Sequence, residues 1–227
     1  MEQKGKIVVV TGASRGLGKA LAIGLAGAGH SIAVVARTGV ETPALEGTVY
    51  DTTEEIRRLN GTAKAFVCDV SDERQVQKTV SRILEHFGRI DVLVNNAGIA
   101  RPAPIWDLSL KNWNLVIKVN LTGTFLCSRA VLPGMMARGA GSIINISSIQ
   151  AGLKASVKSG TVYGVTKAAL ERLTLGMAEE LRSYNISVNC LKPRGAVRTE
   201  GMIRLYPDAD QSSWDDAGMM VKACTFL

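Results

Sequence analysis

Aromatic residues make up only 5% of this 227-residue chain. That scarcity argues against a stacking platform for single-stranded nucleic acid, which needs rings laid along a groove. Cysteine is sparse too: Cys68, Cys127, Cys190 and Cys224 are far apart, mostly in apolar runs, with no Cys-x-x-Cys spacing. Neither a metal site nor a disulfide framework is indicated, and buried reduced thiols are expected. Lys and Arg outnumber Asp and Glu 27 to 20, a net charge of +7, yet no basic block concentrates the excess. A solvated surface and a phosphorylated small partner explain it without nucleic acid. No apolar run approaches the roughly 18 residues of a membrane helix. A strand pattern starts at Lys6, leaving no room for a signal peptide. Repeats and low-complexity linkers are also lacking. These absences predict a soluble, cytoplasmic, single-domain protein over residues 1–227 with no membrane span.

What is present begins with Lys6–Thr11, a continuous β-branched run typical of a strand buried on both faces of a parallel sheet. It leads into Gly12-Ala-Ser14-Arg15-Gly16-Leu17-Gly18 and an Ala/Leu-rich helix to about Ala28. Free N–H groups and the helix dipole at such a junction favour an anion. Gly12 permits the tight turn, Gly16 the approach of a pyrophosphate, and Gly18 helix-to-strand packing. The bare glycine spacing also describes a structural turn, and the strand-to-helix context strengthens the phosphate reading.

Ser31–Arg37 reads as a second buried strand. An acid at its end would suit the ribose 2′-OH of NAD, whereas a basic residue suits a 2′-phosphate. Arg37 stands there, and Arg15 could reach the same group, so NADP(H) is favoured over NAD(H); a solvent-exposed arginine is the alternative for each. Residues 38–50 read as a loop near the adenosine end, and Asp51–Leu59 as a helix capped near Asp51 or Thr52. A third strand spans Ala63–Cys68. Asp69 at its tip suits either an adenine amino group or a turn. Ser71–Phe87 is an amphipathic helix. The fourth strand, Ile90–Asn95, runs into Asn96-Ala97-Gly98, where small residues let backbone approach a ribose and the asparagines can lock strands. Residues 107–138 form a long helical stretch that Pro133-Gly134 kinks or breaks. Within it Asn120 needs buried partners, and a kink that turns its groups to an inner water linked to Lys167 is one solution. Gly141–Ser148 is the fifth strand and delivers two serines to the carboxyl edge of the sheet, where ligands bind in such folds. A helix carrying Tyr163 runs to about Ser183, and Ile186–Leu191 is a sixth strand that Pro193 stops.

Tyr163 and Lys167 stand at i and i+4, on one helix face. An adjacent ammonium favours a phenolate, and a phenol tuned towards the working pH can exchange a proton with a carbonyl or alcohol oxygen that Ser148 holds. A half-buried tyrosine beside a solvated lysine has the same spacing; the dinucleotide site in the same chain decides between them. Strands alternating with helices predict an α/β fold, a parallel sheet doubly wound by right-handed crossovers.

Taken together, Thr11-Gly12-x-x-x-Gly16-x-Gly18, Asp69-Val70, Asn95-Asn96-Ala97-Gly98, Asn120, Ser148, Tyr163-x-x-x-Lys167 and Pro193 with Val197 and Thr199 resemble the short-chain dehydrogenase/reductase family over roughly residues 4–200. The resemblance implies a single Rossmann-type domain of about six or seven strands with helices on both faces. It implies a catalytic tetrad: Tyr163 as general acid/base, Ser148 orienting the substrate oxygen, Lys167 on the nicotinamide ribose, and Asn120 holding a relay water. Gly12, Ser14, Arg15, Gly16, Leu17 and Gly18 would contact NADP(H), with Arg37 at its 2′-phosphate. Asp69, Val70, Asn96, Ala97, Gly98, Tyr163, Lys167, Pro193 and Val197 would complete the cofactor contacts. The implied reaction interconverts a carbonyl and a secondary alcohol. The implied assembly is a homodimer or homotetramer through the long helix and the Tyr163 helix, and residues 198–216 would form a substrate lid.

Three departures from the family pattern stand out. About two extra residues between Ser148 and Tyr163, in 152–160, should reshape the substrate mouth and make Ser147 a substitute for Ser148. Pro193-Arg194-Gly195 replaces the usual Pro-Gly. The sequence ends at Leu227 without the usual seventh strand, which suggests truncation or an unusual sheet edge. The insertion at 41–50 resembles a hydroxysteroid-dehydrogenase-like branch. A catalytically silent NADP(H)-binding regulator is the alternative, although the complete tetrad speaks against it. A methyltransferase would want an acid in place of Arg37 and has no use for Tyr163-x-x-x-Lys167.

Overall fold

The protein is described by a computed structural model covering residues 5–40, 46–152 and 160–227. In chain order the elements are β1 (Ile7–Thr11), α1 (Gly16–Gly27), β2 (Ser31–Ala36), α2 (Val49–Arg58), β3 (Thr62–Val67), α3 (Glu73–Phe87) and β4 (Val92–Asn95). There follow α4 (Leu110–Ile117), a π turn (Lys118–Thr122), α5 (Gly123–Arg138), β5 (Gly141–Ile146), α6 (Thr161–Glu180), β6 (Ile186–Leu191), α7 (Glu200–Leu205) and α8 (Ala217–Phe226).

The six strands make one parallel sheet ordered β3-β2-β1-β4-β5-β6. Strand order reverses between β1 and β4, so a crevice opens at the carboxyl ends of those two strands. Successive β1 residues serve opposite faces, as the strand period requires. Val8 and Val10 pack with α1, α2 and α8 through Leu21, Leu25, Ile56 and Met220. Val9 packs on the other face with α3 and α5 through Val76, Ile83, Leu126 and Val131. The doubly wound reading holds.

Several local expectations are corrected. The second helix starts at Val49, ahead of the expected Asp51: Thr48 caps it by accepting from the amides of Tyr50 and Asp51, while Asp51 reaches back to Thr48 N at 2.7 Å. That reciprocal capping box is a strong helix start, and it shortens the expected loop; residues 41–45 of that loop lie outside the described residues. Pro133 lies inside α5 without ending it. It and Arg129, whose carbonyl it leaves unpaired, are both exposed, so water can replace the lost bond. The interruption falls instead at the π turn around Asn120. Counted through that turn, Leu110–Arg138 is 29 residues, long and apolar enough by length and composition to cross a membrane, contrary to the expectation that no run approached this. Here Leu126, Cys127, Val131 and Met135 bury its apolar stripe against the sheet. Arg37 stands just past β2 and is exposed. Among the described residues no seventh strand follows β6; α8 packs on α1, with Val221 against Gly24.

All four cysteines are free; Cys68, Cys127 and Cys224 are buried and Cys190 is half-buried. Among the described residues no cluster of metal-ligating side chains occurs.

Candidate active site

β1 ends in a glycine turn that main-chain crowding dictates. Gly12 (φ +67°) and Gly16 (φ +56°) adopt left-handed backbone that side-chain-bearing residues rarely take. A Cβ on Gly18 would lie 2.3 Å from Gly12 O, so α1 packs directly on the turn. Asn96 ties the turn to β4: its Nδ2 donates to Thr11 O at 2.9 Å and to Gly12 O at 3.3 Å. The amides of Asn96 and Ala97 donate to Thr11 Oγ1 at 3.0 and 3.1 Å.

α1 begins without a capping side chain and has no acid in its first turn, which leaves donors for an anion. Gly16 N instead donates to the Glu200 carboxylate at 3.1 Å, from the first residue of α7. Arg15 Nη2 donates to Gly47 O at 2.7 Å, drawing the β2–α2 connection over the turn. Ser14 is buried and Leu17 half-buried beside it. Asp69 Oδ1 accepts from Ser71 N at 2.9 Å and Ser71 Oγ at 2.7 Å, so this carboxylate shapes the turn after β3. Val70 packs on Gly123, where α5 begins.

Neighbouring serines after β5 point to opposite sides, as alternation along an extended chain requires. Ser147 is buried, and its Oγ donates to Glu171 Oε1 at 3.0 Å and Lys167 O at 3.4 Å. Its hydroxyl is thus held against α6. Ser148 accepts from Gln150 N at 3.3 Å, and its hydroxyl stands near enough to the Tyr163 hydroxyl to draw that phenol's pKa down. Lys167 is buried; its Nζ donates to Ile146 O at 2.7 Å and lies 5.4 Å from the Tyr163 ring centroid. A Cβ on Gly98 would lie 3.6 Å from that ammonium and 3.5 Å from Asn120 Oδ1, so the β4 exit, α6 and the π turn converge on one point.

Asn120 is fully buried and its side chain is spent on protein partners. Oδ1 accepts from Ile99 N at 2.8 Å, and Nδ2 donates to Ile99 O at 3.0 Å and Thr166 Oγ1 at 3.1 Å. Asn95 locks the layer below: its Nδ2 donates to Asn145 Oδ1 at 2.9 Å and Ser128 Oγ at 3.0 Å.

Burial pushes the Tyr163 phenol up; the Ser148 hydrogen bond pulls it down and Tyr206 adds to the rise. Burial also lowers Lys167 to about 8. The expected downward pull of Lys167 on the tyrosine does not figure among the causes of its shift; desolvation acts on both groups against their charged forms.

Beyond β6, Pro193 is half-buried and Val197 buried. Val197 forms a bridge with Asp215, whose Oδ2 accepts from Gly195 N at 2.9 Å and whose carbonyl accepts from Arg198 N at 3.0 Å. The extra residues expected to reshape the mouth, 153–159, lie outside the described residues. Sequence reading did not anticipate Gly47 or Thr166 at this site, and it placed Glu200 and Tyr206 in the lid without these contacts. Their contacts join distant segments, and only the Thr48-x-x-Asp51 cap, which marks an ordered turn beside Gly47, offered a local sign.

The residues fit a dinucleotide: α1 starts at the glycine turn with no capping side chain, Gly98 leaves backbone room beside Lys167, and a carboxylate already rests on Gly16 N. The sequence model of the family described as short chain dehydrogenase matches residues 6–210. Hydroxysteroid dehydrogenase-like protein 2 of Mus musculus is 40% identical over 198 residues, 87% of this chain and 40% of that protein. Its Bos taurus counterpart is 36% identical over 224 residues, 98% of this chain and 53% of that protein. The chain thus spans about half the length of these curated relatives. Among solved structures, a gluconate 5-dehydrogenase from Burkholderia cenocepacia in complex with NADP and tartrate superposes with a TM-score of 0.86 at 32% identity, covering 99% of this chain and 88% of that one.

Proposed function

Because the chain belongs to the short chain dehydrogenase family of oxidoreductases, we propose that it interconverts a carbonyl and a secondary alcohol with NADP(H), using Tyr163 as general acid/base. The observation that carries this reading is the convergence at one edge of the sheet of a hydroxyl pair (Tyr163 with Ser148), a buried lysine and an open glycine turn. The dinucleotide, when bound, supplies or accepts the hydride at the carbon bearing the substrate oxygen.

The chain's own residues do the rest. Amides at Gly12–Gly18 and the α1 dipole hold the pyrophosphate, and Arg37 with Arg15 receives the 2′-phosphate, favouring NADP(H) over NAD(H). Asp69, Val70, Asn96, Ala97, Pro193 and Val197 frame the adenosine and nicotinamide ends. Ser148 orients the substrate oxygen. Tyr163, kept protonated by burial, gives its proton to that oxygen during reduction and takes it back during oxidation. Lys167, lowered to about 8, bonds the ribose hydroxyls and returns the proton near neutral pH. Asn120 positions Lys167 through Ile99 and Thr166; a relay water would use its main-chain carbonyl, which already accepts from Thr124 Oγ1 at 2.9 Å and has a second lone pair.

Residues 198–216 act as substrate lid. A homodimer or homotetramer forms through α5 and α6, on which Phe125, Val165 and Leu175 are exposed.

The test is NADPH consumption against ketones, aldehydes, quinones and sterols, with Tyr163→Phe alongside. Turnover should fall by about 10²- to 10⁴-fold in the variant while NADPH affinity holds. NADPH binding without turnover on any substrate would replace this reading with that of a silent cofactor-binding protein.

A further inference from the structure

We propose that Glu200 is an internal competitor for the cofactor's pyrophosphate: its carboxylate holds α7 on the glycine turn, and cofactor entry exchanges it for phosphate and releases α7. This rests on the cofactor reading above and adds a regulatory contact to the same site.

The turn has everything an anion requires except a local one. Arg15 occupies the N-cap without capping the helix through its side chain, and no acid stands in the first turn of α1. The carboxylate that meets Gly16 N comes from 184 residues along the chain. The approach is close: a Cβ on Gly16 would lie 3.5 Å from Thr199 Cβ and 3.8 Å from Glu200 Oε2. A Cβ there would make ordinary van der Waals contact with the lid, so it is the left-handed backbone at φ +56° that calls for glycine.

The rest of the segment is arranged as a hinge. Its stem is closed by Asp215, which holds Gly195 and Arg198. Thr199 caps α7 by accepting from Met202 N at 3.3 Å, so the short helix keeps its own start. The stem thus stays closed while the Glu200 contact at the tip can be exchanged. A carboxylate and a pyrophosphate cannot share one N–H, and their like charges repel. The pyrophosphate, with more charge and more acceptor atoms, takes the position.

Glu200 is exposed, so the competition is modest. A single carboxylate at a helix N-terminus corresponds to about a 2- to 5-fold change in equilibrium. The experiment is NADPH titration of wild type and Glu200→Gln, with hydrogen–deuterium exchange across α7 in free protein and with inorganic pyrophosphate as probe. Glu200→Gln should bind NADPH about 2- to 5-fold more tightly. Its α7 amides should exchange faster than wild type in free protein. Pyrophosphate should raise α7 exchange in wild type towards the variant's level and leave the variant unchanged. Equal α7 exchange in the two free proteins, a wild type unmoved by pyrophosphate, or weaker NADPH binding by the variant would each overturn the proposal. If neither protein binds NADPH, the cofactor reading fails, while the α7 comparison with pyrophosphate still decides whether the latch exists.

Discussion

Around the glycine turn, what meets is main chain: Gly18 against Gly12 O, Gly16 N on its anion, Thr11 and Gly12 carbonyls on Asn96. Around Tyr163, what meets is side chain: Lys167, Asn120, Thr166 and Ser147, each buried and each bonded. An atom added at Gly18 would strike main chain in the first region, and a polar group deleted from the second would leave a buried partner unpaired. A phosphate is a bulky, invariant anion that repeated N–H groups can hold, so backbone suffices. A proton must be handed between particular atoms, and that requires titratable groups whose burial tunes them.

Lys167 is where this contrast can be tested hardest. Below about pH 8 both folded and unfolded chains carry its proton, and its burial cost is constant. Between about 8 and its ordinary 10.5 the unfolded chain holds more of that proton, so this group's contribution raises stability with pH. Lys167→Met removes that slope. Wild type should therefore gain about 3 kcal/mol on the variant across the window, measured by denaturant unfolding at pH 7.5 and 10.5. Parallel curves would mean that the ammonium is not desolvated.

At the other end, Gly18→Ala forces a Cβ to within 2.3 Å of Gly12 O and 2.4 Å of Asn96 Nδ2. A loss of about 2 kcal/mol, or about 4–8 °C in melting temperature, is expected by thermal scan. An unchanged melting point would show that the turn yields. The smallest effect belongs to Ser147→Ala, which loses the hydroxyl bonds to Glu171 and Lys167 O. About 1 kcal/mol of stability should go with turnover retained. A collapse of turnover on the same substrate panel would place Ser147 in the chemistry after all.

Much of this was legible in the sequence because it is local. β6 runs Ile186–Leu191 as its β-branched pattern predicts, and β1 differs by one residue at its start. Asn120, a polar residue in an apolar helix, marked the place where the geometry of the stretch Leu110–Arg138 changes. Pro133 misled because its cost depends on which face it occupies, and a sequence reports composition more readily than exposure. Ser147 reads from the sequence as a substitute for Ser148, and the structure sends the two to opposite sides, as alternation along an extended chain requires. The Tyr163 shift was out of reach for another reason: desolvation depends on what covers a group. The Glu200 contact joins residues 184 apart and has no local pattern at all.

The sheet order has one more consequence, and it concerns time. β1 lies between β2, which follows it closely, and β4, whose Val92 pairs with Val8 only after three crossovers and two intervening strands. Such distant parallel pairing carries the loop-closure cost before any contact repays it, which makes it slow. Asn96, which clamps the glycine turn, arrives with β4. The turn therefore gains its final shape late in folding, and a chain in which β1 and β2 have already paired is not yet competent to hold a nucleotide.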